Sequence, residues 1–145
     1  MKKEIIQVNF RISVKAFLIN NEKIFVVKRA SGDVQSPNIW ELPEGRLELG
    51  EDPYLGLIRE IKEETGLYAR PICPLTVRHF ERSDGQTITM IIFFCKLMGG
   101  DAKLSEEHSE SSWISLEEAM SKLTDFFHKE LDTFSRLNLL NVDLK

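Results

Sequence analysis

Three glutamates, Glu60, Glu63 and Glu64, lie together in the run Arg59-Glu60-Ile61-Lys62-Glu63-Glu64. On a helix turning roughly 100° per residue they fall within about 100° of one another. Tyr54, Leu55, Ile58 and Ile61 fall on the opposite side, which reads as the face to be buried. Like charges three and four residues apart destabilise a bare helix, so something must offset them. A solvated acidic face is the plain reading. A bound divalent cation is the chemical one, because Mg²⁺ takes oxygen ligands and favours a few carboxylates together with substrate phosphates.

The flanks decide between these. Trp40-Glu41-Leu42-Pro43-Glu44-Gly45 leads into a loop carrying Glu51, and Pro53 suits the first turn of a helix that Gly66 ends after Thr65. The helix is expected over 53–65. Gly56 is unfavourable in its middle by about 1 kcal/mol relative to alanine. Its place on the carboxylate side, one turn before Glu60, implies that the loop passes closely over it.

From Gly45 to Leu67 the chain fits G-x5-E-x7-R-E-U-x-E-E-x-G-U at every fixed position, U being a bulky aliphatic. This is the Nudix box, and the chain resembles the Nudix hydrolases, MutT-like pyrophosphohydrolases. The resemblance is specific over 40–67, looser over 12–29 and 87–119, and absent from the C-terminal tail. It implies an α/β fold, a Nudix-type α/β/α sandwich with a mixed β-sheet between helices. It also implies hydrolysis of a pyrophosphate bond in a nucleoside diphosphate derivative, with Mg²⁺, or alternatively Mn²⁺, as cofactor.

The resemblance assigns roles residue by residue. Glu60 and Glu64 are the principal metal ligands, Glu63 a further ligand or catalytic group, and the backbone carbonyl of Glu44 another ligand. The family often has glycine or alanine at position 44, so a glutamate there is a departure. Arg59 orients the carboxylates, and Glu51 is a ligand or the partner of Arg59. Some members take a general base from the loop before a strand like that at Trp113; Glu106, Glu107 and Glu110 are available, and spacing favours Glu107. His108 is an alternative proton carrier, whereas His79 and His128 have no supporting context. Arg29 borders the substrate cleft as a phosphate or base contact, or else is a solvated strand-end charge.

Substrate signals are negative. The proline of many ADP-ribose pyrophosphatases would fall near Arg82 or Ser83, and the tyrosine of dinucleoside polyphosphate hydrolases near Asp84. A nucleoside triphosphate, cleaved to monophosphate and pyrophosphate, is favoured over ADP-ribose or a nucleotide sugar. A non-catalytic nucleotide-binding module would usually have lost box carboxylates. A structural Mg²⁺ domain would not need Gly45, Glu51 and Arg59 in register as well.

The chain has 145 residues, 42% hydrophobic and 29% charged, which fits one domain over 1–145. A net charge of −4 disfavours nucleic acid as a partner but not the small nucleotide substrate that the resemblance implies, whose charge a metal can neutralise; a monomer or homodimer is expected. Cys73 and Cys95 lie in apolar runs without metal spacing and read as core thiols. No leader or bilayer-length apolar run is evident, so a cytoplasmic protein off the membrane is expected.

The remaining elements follow in order. A lead-in strand is expected around 5–8, then a hairpin of 12–19 and 24–27 turning at Asn20-Asn21-Glu22-Lys23. Residues 70–97 form a second hairpin through Asp84-Gly85, with Pro71 and Pro74 marking a bend or edge and 87–97 buried on both faces. An acidic loop over 105–112 precedes a short strand at Trp113-Ile114. Ser115 and Glu118 make a capping box for a helix to about Leu123. A second amphipathic helix is expected over 126–140, burying Phe127, Leu131, Phe134 and Leu137.

Overall fold

The computed structural model describes residues 9–32 and 37–141; the lead-in strand expected around 5–8 lies outside them. Strand β1 (Phe10–Asn20) and strand β2 (Lys23–Arg29) form the first hairpin. Its two-residue turn puts Asn21 and Glu22 at φ 49° and 61°, the left-handed pair that matches strand twist. The strands pair only at Ile19–Ile24 and Asn20–Lys23 and then part. Strands β3 (Trp40–Glu41) and β4 (Glu44–Arg46) fill the gap. The first pairs with β2 through Val27–Glu41 and the second with β1 through Val14–Gly45.

Helix α1 (Pro53–Thr65) follows, then β5 (Leu67–Glu81), β6 (Thr87–Gly100) and β7 (His108–Ser115). The sheet runs β3–β2–β1–β6–β5, with β7 on the other edge of β2. As expected, β6 is central: it pairs parallel with β1 and antiparallel with β5. Strand β5 lies at the end of the sheet order, and its register shifts at Pro71 and Pro74, where the ladder lacks a donor. Cys95 is buried and Cys73 half-buried, both free.

Alternation along β1 assigns the two faces. Val14, Ala16 and Leu18 pack with Leu57 and Ile61 of α1. Phe17 and Ile19 pack with Leu131 and Phe134 of the C-terminal segment. That segment comprises α2 (Leu116–Lys122), a 3₁₀ turn at Asp125–Phe127, and α3 (His128–Arg136). Ser115 caps α2 as expected, its Oγ accepting from the Glu118 amide at 3.1 Å. The phenylalanine rings of Phe17 and Phe94 lie 4.8 and 5.2 Å from that of Phe134. The helices therefore cover both faces of a mixed sheet, the expected sandwich. Among the described residues, no helix is long and apolar enough to cross a membrane.

Three expectations are corrected. The buried stripe of α1 is Gly56, Leu57, Ile61 and Thr65, while Tyr54 and Leu55 are exposed. Ile61 is buried as expected, but the stripe is completed by Gly56, Leu57 and Thr65 rather than by Tyr54 and Leu55, so the carboxylates border the buried face. Residues 108–115 form one strand instead of a loop and a two-residue strand, because the whole of β2 is available as a partner and outweighs polar composition. The tail helix ends at Arg136, and Leu137 is 58% exposed beyond it.

One ion pair fastens the C-terminal segment to the sheet. Arg78 of β5 donates from Nη1 to Glu130 Oε1 at 2.9 Å and to the Phe126 carbonyl at 2.8 Å. Glu130 is fully buried, and that burial raises its carboxyl pKa although Arg78 opposes the shift. Removing one partner of a buried pair strands the other. Glu130→Ala should cost about 3 kcal/mol in urea unfolding, the low end for such pairs because Arg78 keeps some contact with solvent. A loss below about 1 kcal/mol would show that water satisfies Arg78 instead.

Candidate active site

Helix α1 presents its acidic residues to the loop before it and to the segment before β7. Asp52 caps the helix, accepting from the amides of Tyr54 and Leu55 at 2.9 and 3.1 Å, and Gly66 ends it at φ 78°. The loop lies close on Gly56, as expected: a Cβ there would overlap the Leu47 side chain and come within 2.8 Å of Glu51 Oε1. A Cβ on Gly45 would overlap the side chain of Glu60. The fixed glycine of the box thus makes room for a carboxylate against the backbone of β4.

Arg59 organises one half of the acidic cluster. Its Nε and Nη2 donate to Glu51 Oε2 and Oε1 at 2.7 and 2.8 Å, a two-pronged pair. Its Nη1 lies 2.9 Å from Glu60 Oε1 and donates to Glu63 Oε2 at 3.1 Å. Desolvation raises the Glu60 pKa; Arg59 works against this, and the charges of Glu63 and Glu64 add to it. Glu63 is more than half exposed and faces Arg59.

The other half converges on Glu64. The Lys103 and Ser105 amides donate to the carbonyls of Thr65 and Glu64 at 2.7 and 3.0 Å, docking the segment before β7 on the end of α1. Ser105 Oγ donates to Glu64 Oε2 at 2.7 Å. Donor atoms of Glu64, Glu107 and His108 then lie within 4.8 Å of one another. Burial raises the Glu107 pKa, and the Glu64 charge raises it further. Glu106 lines the same cleft, and Glu110 faces Lys28 at 3.8 Å.

Behind these carboxylates lies a charge network in the seam between β1 and β2. Lys15 is buried, with Nζ 3.0 Å from Glu44 Oε2 and 3.9 Å from Glu41 Oε2. Arg29 pairs with Glu41 at 2.9 Å and with Glu44 at 3.0 Å. The unusual side chain at position 44 thus serves as counter-ion to two cations. Burial pushes the Glu41 carboxyl up, but His108, Lys15 and Arg29 together bring its pKa below the usual value. Lys15, Glu41 and Ser105 were not foreseen as site residues. The available signal for Lys15 was a lysine flanked by Val14 and Ala16 inside an apolar strand.

All of this opens on a cleft of about 1300 Å³. Glu60, Glu64 and Glu107 line it together with Arg11, Lys15, Arg29 and Arg82, and Phe80, Ile88, Met90, Phe126 and Phe127 form an apolar wall. The carboxylates suit a hard divalent cation: oxygen donors turned inward beside a backbone loop, with more negative charge than Arg59 offsets.

The description NUDIX domain fits residues 9–135, and the chain belongs to the Nudix family. Nudix hydrolase 5 of Arabidopsis thaliana is 30% identical over 139 residues, covering 93% of this chain and 45% of that protein. The MutT-like protein of Streptomyces ambofaciens is 30% identical over 117 residues, covering 80% of this chain and 71% of the relative. The crystal structure of the MutT protein from Methanosarcina mazei Go1 superimposes with a TM-score of 0.79 at 29% identity, over 92% of this chain and 98% of that one. The chain spans less than half the length of Nudix hydrolase 5 and of the next two plant relatives, at 45%, 41% and 36%.

Glu51 offers a direct test of the Arg59 hub. Arg59, and secondarily the Glu48 amide, hold its carboxyl at about 2, below the ordinary 4.5. As pH falls, the unfolded chain takes up its proton first. The stabilisation from this pair is therefore complete above the unfolded value and is lost on acidification toward the folded one. The stability difference between wild type and Glu51→Gln should be flat above about pH 5 and shrink toward about pH 2. A difference independent of pH would show that Arg59 does not control this carboxyl.

Proposed function

We propose that the protein is a divalent-cation-dependent hydrolase cleaving a phosphoanhydride bond in a nucleoside diphosphate derivative, with a nucleoside triphosphate as the favoured substrate and monophosphate and pyrophosphate as products. The observation that carries this reading is the meeting of Glu60, Glu64 and Glu107 in a cleft that also has basic and apolar sides. The basic side suits a phosphate chain and the aromatic side suits a base.

Mg²⁺, or Mn²⁺ in its place, held by Glu60 and Glu64 with the Glu44 carbonyl and Glu63 as further ligands, would neutralise phosphate charge and lower the pKa of a bound water. The chain's own groups do the rest. Arg59 keeps Glu51, Glu60 and Glu63 in fixed orientations. Glu107 takes the proton from water as its oxygen attacks phosphorus, and the bridging phosphorus–oxygen bond breaks as pyrophosphate leaves. A Glu107 pKa raised by burial and by Glu64 suits a base that must hold that proton. Arg29, already paired with Glu41 and Glu44, borders the phosphate path together with Lys15. Retention of Glu51, Glu60, Glu63 and Glu64 favours catalysis over a binding-only module.

A nucleotide panel with Mg²⁺, scored by product identity, separates triphosphates from ADP-ribose and nucleotide sugars. Glu64→Gln keeps shape and removes charge, so turnover should fall on the order of 10³-fold or more, about 4 kcal/mol of barrier. The fold should survive, because neutralising Glu64 relieves repulsion with Glu60. Normal turnover in Glu64→Gln, or wild-type turnover that persists in excess EDTA, would overturn the mechanism.

A further inference from the structure

The His108 imidazole has a role that the carboxylate chemistry above leaves unused. Its side chain is only 3% exposed. Nε2 lies 3.0 Å from Glu41 Oε1. Glu41 faces the cations Lys15 at 3.9 Å and Arg29 at 2.9 Å, and a carboxylate paired in this way accepts. Nε2 therefore carries the hydrogen, and in the neutral ring Nδ1 keeps its lone pair. That Nδ1 is buried and has no hydrogen-bond partner. It stands 3.9 Å from Glu64 Oε2, with a Glu107 oxygen inside the same 4.8 Å group. A buried acceptor without a donor is costly, and an ionised Glu64 offers it none.

We propose that Glu64, Glu107 and His108 Nδ1 form a mixed carboxylate–imidazole site for a transition-metal ion of the Mn²⁺ type, with Glu41 as the group that fixes the ring. The site is separate from the pairing of Glu60 with Arg59 and shares only Glu64 with the ligand set assigned above. It rests on the reading of Glu64 as a cation ligand, but not on the hydrolytic step. Two neighbouring ligands about 2.1 Å from one octahedral ion lie about 3 Å apart, so the observed spacing needs only a small side-chain adjustment. A histidine whose far nitrogen is anchored by a carboxylate is the usual arrangement for a metal-bound imidazole, and imidazole favours transition metals over Mg²⁺. Glu107 offers two oxygens, so one can ligate while the other accepts a proton.

Electron spin-echo envelope modulation of Mn²⁺ added to the whole protein reads the bond without reference to activity. Directly bound imidazole should give ¹⁴N modulation in wild type, and the pattern should change when histidine is ¹⁵N-labelled, a substitution that leaves the fold untouched. His108→Gln, with His79 and His128 intact, should lose the nitrogen signal, and its Mn²⁺ affinity should fall at least on the order of tenfold, the cost of losing even an outer-shell partner. Immobilised Mn²⁺ without nitrogen modulation in wild type would overturn the imidazole ligand and leave the carboxylate site standing. Nitrogen modulation that survives in His108→Gln would also overturn the proposal. Failure of Mn²⁺ to bind at all would overturn both this site and the cation reading of Glu64.

Discussion

The parting of β1 from β2 is the constraint on which the rest depends. Two strands that leave each other beyond the Ile19–Ile24 pair expose two rows of backbone groups that must find partners. Residues 40–46 supply them, one strand edge for each row, and the Pro43 carbonyl accepts from the Ala16 amide at 3.0 Å between them. That insertion carries Glu41 and Glu44 into the seam and lays Gly45 against Glu60. Without the separation there would be no place where residues from β1, β2, α1 and the start of β7 could face one cavity.

Charge balance follows from this geometry. Near Arg59, one guanidinium serves Glu51, Glu60 and Glu63. In the seam, two cations serve Glu41 and Glu44. Between these two groups lie Glu64 and Glu107, whose neighbours include a serine hydroxyl and a histidine. Carboxylates left in this way, partly desolvated and close together, raise the cost of each other's ionised form.

Local signals were legible wherever a few adjacent residues decide the outcome. The limits of α1 follow from Pro53 and Gly66, the first turn from Asn20-Asn21-Glu22-Lys23, and the start of α2 from its cap Ser115. The box pattern named Glu51, Arg59 and the helix carboxylates, and the close loop over Gly56 followed from a glycine out of place. What stayed hidden depends on contacts between distant segments. Nothing near His108 marks it as a strand residue until β2 is seen to need a partner, and nothing near Lys15 reveals that Glu44 lies beside it. The angular reading of α1 held for Ile61 but placed Tyr54 and Leu55 inward, whereas Gly56, Leu57 and Thr65 complete the buried stripe.

The aromatic side of the cleft and the foundation of the C-terminal segment are the same residues. Phe127 is buried in the core with Leu131 and Phe134 and also lines the cavity beside Phe126. Phe126 is held by its carbonyl and by the Arg78 guanidinium 4.1 Å from its ring. Whatever gains contact with this wall must, by linkage, also favour the docked state of the segment that builds it. Occupancy of the cleft is thus coupled to the rigidity of a helix that touches no phosphate. Amide hydrogen exchange along α3 would report filling of the cleft from the far side of the molecule.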